Sequence, residues 1–218
     1  AVRMTLGEES GAFAVTLRED AVRAREIAPL FLEVNLGGTA IGTGVAANPD
    51  YRALICEALA RVTGLEITPA ANLVEATCDM GALVLYSGML KRIASKLSKI
   101  ANDLRLLSSG PSGGFGEITL PKRQPGSSLM PGKVNPVIPE AMNAIAFRVF
   151  GLDLTVTFAA EGGQLQLNAF EPVICWSIHE AATLLTRGIH MLADHCVAGI
   201  EPVEAHCSAN LMRSTAYG

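Results

Sequence analysis

The residues best suited to chemistry lie together in Gly126-Ser127-Ser128-Leu129-Met130-Pro131-Gly132-Lys133-Val134-Asn135-Pro136. Two adjacent hydroxyls, a cation at Lys133 and an amide side chain at Asn135 are the parts of a site for a small anion. Backbone N–H groups and the positive end of a following helix would stabilise a carboxylate there, with the lysine acting as a point charge. Gly126 and Gly132 let the backbone close over such a ligand. Composition alone also fits an ordinary loop in which Lys133 is a solvated charge. The stretch is not a nucleotide-binding P-loop. One residue too many separates Gly126 from Gly132, Val134 stands where a hydroxyl should follow the lysine, and no strand precedes the run.

These residues must be carried by helices. From Leu73 to Leu104, the positions Leu73, Ala76, Met80, Leu83, Ser87, Leu90, Ala94, Leu97, Ala101 and Leu104 step by three and four, the seam of a helix bundle. One helix over this span would be about 50 Å long, and long helices need long neighbours. Residues 5–33, kinked or ended by Pro29, residues 139–168, opening with Pro139, and residues 172–198, opening with Pro172, supply them. Shorter helices are expected at 51–63 and 202–213, and strand alternation is nowhere sustained. The fold class is therefore all-α, a long-helix bundle. Its seam is rich in Ala, Gly and Ser, which lets backbones approach closely on several sides. A homo-oligomer sharing its core between subunits is the expected consequence.

Two glycine-rich stretches interrupt the helices. Leu36 to Gly44 lacks dinucleotide-binding spacing and reads as a tight helix-to-helix turn. Gly110 to Gly132 holds six glycines and four prolines in 23 residues. No helix survives that density, and a loop this long in a helical protein tends to be functional.

Half of the 218 residues are hydrophobic and 17% are charged, which excludes a disordered chain. The net charge of -4 leaves no basic surplus for nucleic acid. No uninterrupted apolar run approaches the roughly 18 to 20 residues of a bilayer span, and charges run through residues 1–20. No membrane is expected, and the location expected is cytoplasmic. The five cysteines, Cys56, Cys78, Cys175, Cys196 and Cys207, read as reduced core thiols. His179 after Cys175 and the pairs His195-Cys196 and His206-Cys207 lack the spacing of a structural zinc site, so no metal is expected.

The loop sequence resembles the signature of the aspartase/fumarase superfamily, whose members eliminate ammonia, water or another amine-bearing group to yield fumarate. The resemblance continues through Lys99 to Arg105, Val34 to Gly44 and Gln164 to Asn168, covering nearly the whole chain. Lys133 to Glu140 and Glu171-Pro172-Val173-Ile174 are similar to the aspartate ammonia-lyase branch rather than the fumarase branch. The resemblance implies that Ser127 is the general base, taking a proton next to a carboxylate to give a dianionic enediolate before ammonia leaves. Ser128, Lys133 and Asn135 would hold a substrate carboxylate. Glu140 would either contact a histidine of another subunit or act as a favourable acid in a first helical turn. No organic cofactor or metal is implied.

The same resemblance implies that residues 1–218 form the central helical bundle domain, packing into a multi-subunit bundle, with residues 110–135 as a mobile active-site loop. The family's N-terminal and C-terminal domains, and the Thr-His pair expected just before Ala1, are absent from it. Family sites are assembled from three subunits of a homotetramer, so this fragment by itself is expected to be inactive. L-aspartate and fumarate are the implied small-molecule partners. The alternatives are a fumarate hydratase working between malate and fumarate, and a scaffold without activity.

Overall fold

Thr5 and Glu8 open the first helix by capping each other. In the computed structural model, which describes residues 3–110, 113–124, 130 and 134–215, the Glu8 N–H donates to Thr5 Oγ1 at 3.1 Å and the Thr5 N–H donates to the Glu8 carboxylate at 2.7 Å. The backbone hydrogen bond, followed by the Thr5 hydroxyl, holds the Glu8 carboxyl below its usual range. Helix α1 (Leu6–Ile27) then runs to a 3-10 turn, Ala28–Phe31, where Pro29 ends it as expected. Helix α2 (Tyr51–Thr63) stops at Gly64, whose φ of 69° closes the last turn.

The seam expected as one helix is two. Helix α3 (Leu73–Cys78) is capped by Asn72, whose side chain accepts from the N–H groups of Val74 and Glu75. Asp79 then turns to extended backbone, and its Oδ2 accepts from the Gly81 N–H at 3.0 Å, starting helix α4 (Gly81–Leu107). Apolar spacing kept its phase across the interruption, so periodicity alone could not register it.

Helix α5 (Val137–Glu161) takes Pro139 into its first turn. It ends well before residue 168, because Gly162 and Gly163 follow and Asn168 Nδ2 donates to the free carbonyls of Ala159 and Ala160, at 3.0 and 3.2 Å. Helices α6 (Glu171–His195) and α7 (Glu204–Arg213) complete the set. The strands are minimal: β1 (Glu33–Val34) pairs in parallel with β2 (Thr68–Pro69), and β3 (Ile118–Thr119) pairs antiparallel with β4 (Glu201–Pro202). The all-α class stands.

The chain divides into two compact units, one of Ala1–Asp20, Leu90–Phe150 and Ala181–Gly218, the other of Ala21–Met89 and Gly151–Glu180. The first has a core that includes Leu97, Leu104, Met142, Val149 and Leu185. In the second, Cys56, Leu73, Met89, Val156 and Ile174 are buried, and the buried Ser87 hydroxyl donates to Asp153 Oδ1 at 2.8 Å. All five cysteines are free thiols.

Helix α5 is the most apolar of the long helices. By length and composition alone it is apolar enough to cross a membrane, although Glu140, Arg148 and Asp153 interrupt its apolar run; 39% of its most apolar window is buried. Phe147, Leu154 and Phe158 face outward, 63%, 55% and 66% exposed.

Candidate functional site

The end of α4 and the start of α5 meet in the first unit around a short polar relay. Arg105 occupies the last turn of α4, where a cation complements the negative end of the helix. Glu140 occupies the first turn of α5, where an acid complements the positive end. Their closest atoms, Arg105 Nη2 and Glu140 Oε1, are 3.9 Å apart, and both side chains are nearly half exposed, so the pair is worth little on its own. Arg105 Nη1 also donates to Asn143 Oδ1 at 3.2 Å. Asn143, 4% exposed, donates in turn to the carbonyl and hydroxyl of Ser98 on α4.

Asn135 stands just ahead of α5. Its carbonyl accepts from the Val137 N–H at 2.9 Å, and the Pro136 carbonyl accepts from the Glu140 N–H at 3.1 Å. A half-buried amide thus sits at the positive end of a 25-residue helix, which suits an anion. Of the expected site residues, the structure places Asn135 and Glu140 at this one helix end. Ser127, Ser128 and Lys133 lie outside the described residues.

Sequence reasoning missed Arg105, Asn143 and Ser98. A usable signal existed for Asn143, an amide in an otherwise apolar helical stretch, three positions after Glu140. The partner it needs is far away along the chain, and spacing does not reveal such pairs.

The segment that leads toward Ser127 has a fastened stem. Strand β3 pairs with β4, and the Val203 N–H donates to the Glu117 carbonyl at 2.8 Å. His206 Nδ1 is 2.8 Å from the Gly116 carbonyl, and Asn210 Nδ2 donates to the Phe115 carbonyl at 3.0 Å and to Glu117 Oε1 at 2.9 Å. Gly116, at φ 58°, comes so near the imidazole that a β-carbon there would lie 2.7 Å from Nδ1. Arg123 closes the stem, donating from Nε to the His195 carbonyl at 3.0 Å and from Nη2 to the Asp194 carbonyl at 3.4 Å.

Other candidates resolve differently. The stretch from Gly37 to Gly44 is a turn in the second unit, with Gly37, Gly42 and Gly44 at positive φ, as expected from its glycines. Among the described residues, no three of His, Cys, Asp and Glu are grouped to hold a metal ion. Burial pushes the thiols of Cys175, Cys196 and Cys207 up; Glu171 adds to this at Cys175, and Arg123 opposes it at Cys196. A cavity of about 520 Å³ in the first unit is lined by residues including Leu6, Asp103, Phe115, Cys207 and Asn210. Neither Asn135 nor Glu140 lines it, so this cavity and the anion-suited helix end are separate features.

The sequence profile of a family described as lyase matches residues 1–151. The aspartate ammonia-lyase of Pseudomonas canavaninivorans is 62% identical over 208 residues, covering 95% of this chain and 44% of that enzyme. Among solved structures, the fumarate lyase:delta crystallin of Brucella melitensis, in its cobalt-bound form, superposes with a TM-score of 0.95 at 58% identity, over 98% of this chain and 46% of that one. The class II fumarase of Schistosoma mansoni superposes with a TM-score of 0.94 at 31% identity, over 99% of this chain and 48% of that one. The chain spans less than half the length of each of these relatives.

Proposed function

The chain belongs to the lyase family, and from that premise we propose that it is the central helical portion of an aspartate ammonia-lyase subunit that releases ammonia from L-aspartate to give fumarate. The observation that carries this reading is the 62% identity to an aspartate ammonia-lyase across 95% of the chain. The 31% identity to a class II fumarase makes hydration of fumarate the weaker choice.

In this reading Ser127 removes the proton beside a substrate carboxylate, and the carboxylate takes up the charge as an enediolate before the amine leaves. A serine is a feeble base, and its alkoxide requires donors aimed at it, which backbone N–H groups of the glycine-rich loop would provide. Ser128, Lys133 and Asn135 hold the carboxylate whose charge grows in the transition state, which is where such contacts accelerate the reaction. Asn135, at the positive end of α5, supports this part. Glu140 serves the helix start and pairs with Arg105.

Residues 1–218 are proposed as the central domain, with the active-site loop within 110–135, in a cytoplasmic homotetramer whose sites draw on three subunits. The outward face of α5, with Phe147, Leu154 and Phe158, supports assembly with further copies. The test is fumarate absorbance with the full-length parent subunit, supplied with L-aspartate and separately with L-malate. Fumarate from L-aspartate is expected. Fumarate from L-malate alone would make the parent a hydratase, and none from either would leave a scaffold.

A further inference from the structure

The C-terminal part of α4 and the first two turns of α5 are joined at two levels. Deeper in, the buried Asn143 amide donates to the Ser98 carbonyl and hydroxyl, at 3.1 and 2.9 Å. Nearer the helix end, Arg105 reaches α5 with both tips of its fork: Nη1 donates to Asn143 Oδ1 at 3.2 Å, and Nη2 lies 3.9 Å from Glu140 Oε1. Glu140 and Asn143 are three positions apart and share a face of α5, while Ser98 and Arg105, two turns apart, share a face of α4. The hold passes on through the backbone. The Glu140 N–H donates to the Pro136 carbonyl and the Val137 N–H to the Asn135 carbonyl, so Asn135 is carried by the turn that Arg105 grips.

We infer, resting on the reading of Asn135 as a holder of the substrate carboxylate, that Arg105 is a positioning residue for the elimination, fixing the first turn of α5 and with it Asn135. A guanidinium suits this task because its donors lie in one rigid plane, so two of its nitrogens engage two side chains at once. An ammonium group offers a single nitrogen on a flexible stem. The direction of the contact matters more than its strength. At nearly half exposure the Arg105–Glu140 pair adds little to stability. The buried bonds from Asn143 to Ser98 remain when the guanidinium is removed, so the fold persists while the start of α5 gains freedom. A misplacement of about 1 Å costs on the order of a hundredfold in rate where reacting groups must meet in a set geometry. Because the charge Asn135 holds grows in the transition state, its displacement is felt in kcat more than in ground-state binding.

Arg105→Gln and Arg105→Lys, each alone and combined with Asn135→Ala, are to be compared with the wild-type full-length parent. The measurements are kcat and KM for L-aspartate, competitive inhibition by succinate, a dicarboxylate with no amine to lose, and the thermal midpoint. Arg105→Gln is expected to lower kcat about tenfold, with the succinate inhibition constant changed less than about threefold and the midpoint close to wild type. Arg105→Lys should stay nearly as slow, since one nitrogen cannot take up both contacts. In the Asn135→Ala background, Arg105→Gln should lower kcat by less than a further factor of about two, because the residue it positions is gone. An unchanged kcat in Arg105→Gln, a kcat loss that merely follows a fall in midpoint, full recovery in Arg105→Lys, or losses that multiply in the double variant would each overturn the assignment while leaving the functional reading intact. Undiminished turnover in Asn135→Ala would remove Asn135 from the site, and a wild-type parent silent on L-aspartate would overturn the functional reading; either takes the inference with it.

Discussion

Asn143 grips Ser98 twice, donating from Nδ2 to the hydroxyl at 2.9 Å and to the backbone carbonyl at 3.1 Å, while its Oδ1 accepts from Arg105. A single amide therefore joins α5 to α4 at two places along α4, where both partners on the Ser98 side are buried. Asn143→Ala should cost about 2 to 3 kcal/mol, because it removes the hydrogen bonds and leaves polar groups buried behind it. Urea unfolding of the variant measures the loss. A cost under about 0.5 kcal/mol would show that the relay does not hold the two helices.

Lys96 and Arg92 both donate to the same oxygen of the buried Asp20, at 2.7 and 2.8 Å, and Lys96 also donates to the Thr16 carbonyl. Within the described residues the other carboxylate oxygen, Oδ2, is buried without a partner. Lys96→Met is expected to destabilise by about 2 to 3 kcal/mol, at the low end for a broken buried pair because Arg92 remains. Replacing Asp20 by Leu in the same chain should return most of that stability, since the carboxylate is then no longer buried with too few donors. Thermal unfolding of the single and double variants decides the point.

Gly42, at φ 84°, runs against the start of α3 so closely that a β-carbon would lie 2.3 Å from the Leu73 carbonyl oxygen and the Val74 α-carbon. Gly42→Ala should therefore cost at least about 3 kcal/mol, since neither backbone strain nor the clash is relieved by a side-chain rotation. Gly11 is the matched control. It lies within α1 with open space where its β-carbon would go, and Gly11→Ala should gain roughly 0.5 to 1 kcal/mol. Midpoints moving the same way in both variants would refute the steric argument.

Cys175 is exposed, yet burial of its thiol and the nearby Glu171 carboxylate both favour the protonated form. Since the thiolate is the reactive species, alkylation of Cys175 should rise with a midpoint above the ordinary thiol value of about 8.5. Iodoacetamide labelling followed by peptide mass analysis across pH 7 to 10 gives the curve for each cysteine. Glu171→Gln should move the Cys175 midpoint down, toward that ordinary value; no movement would remove the carboxylate as a cause.

Ser127→Ala in the full-length parent should lower kcat for L-aspartate by roughly 10² to 10⁴, the range for losing a general base, with the thermal midpoint unchanged. Undiminished turnover would remove Ser127 from the mechanism.

Much of this was legible in the residues themselves. Pro29, Pro139 and Gly64 act at helix ends through backbone chemistry that belongs to one residue and its neighbours, so sequence alone placed α2 at Tyr51–Thr63 and ended α1 near Pro29. The break at Asp79 was not legible, because apolar spacing records the phase of a helix and the phase survived. Nor were the Asn143 relay and the Arg123 anchor, whose partners Ser98, Asp194 and His195 lie far along the chain. Asn135 and Glu140 were both expected at the start of one helix, and α5 begins between them. Arg105 was overlooked because a basic residue near a helix end is ordinary until its two partners are seen.

The outward row of Phe147, Leu154 and Phe158 on α5 bears on temperature. Attraction between such surfaces is largely entropic near room temperature and weakens on cooling. If copies assemble through this face, as proposed above, they should come apart more readily in the cold than in the warm, and chilling would bring dissociation rather than preservation.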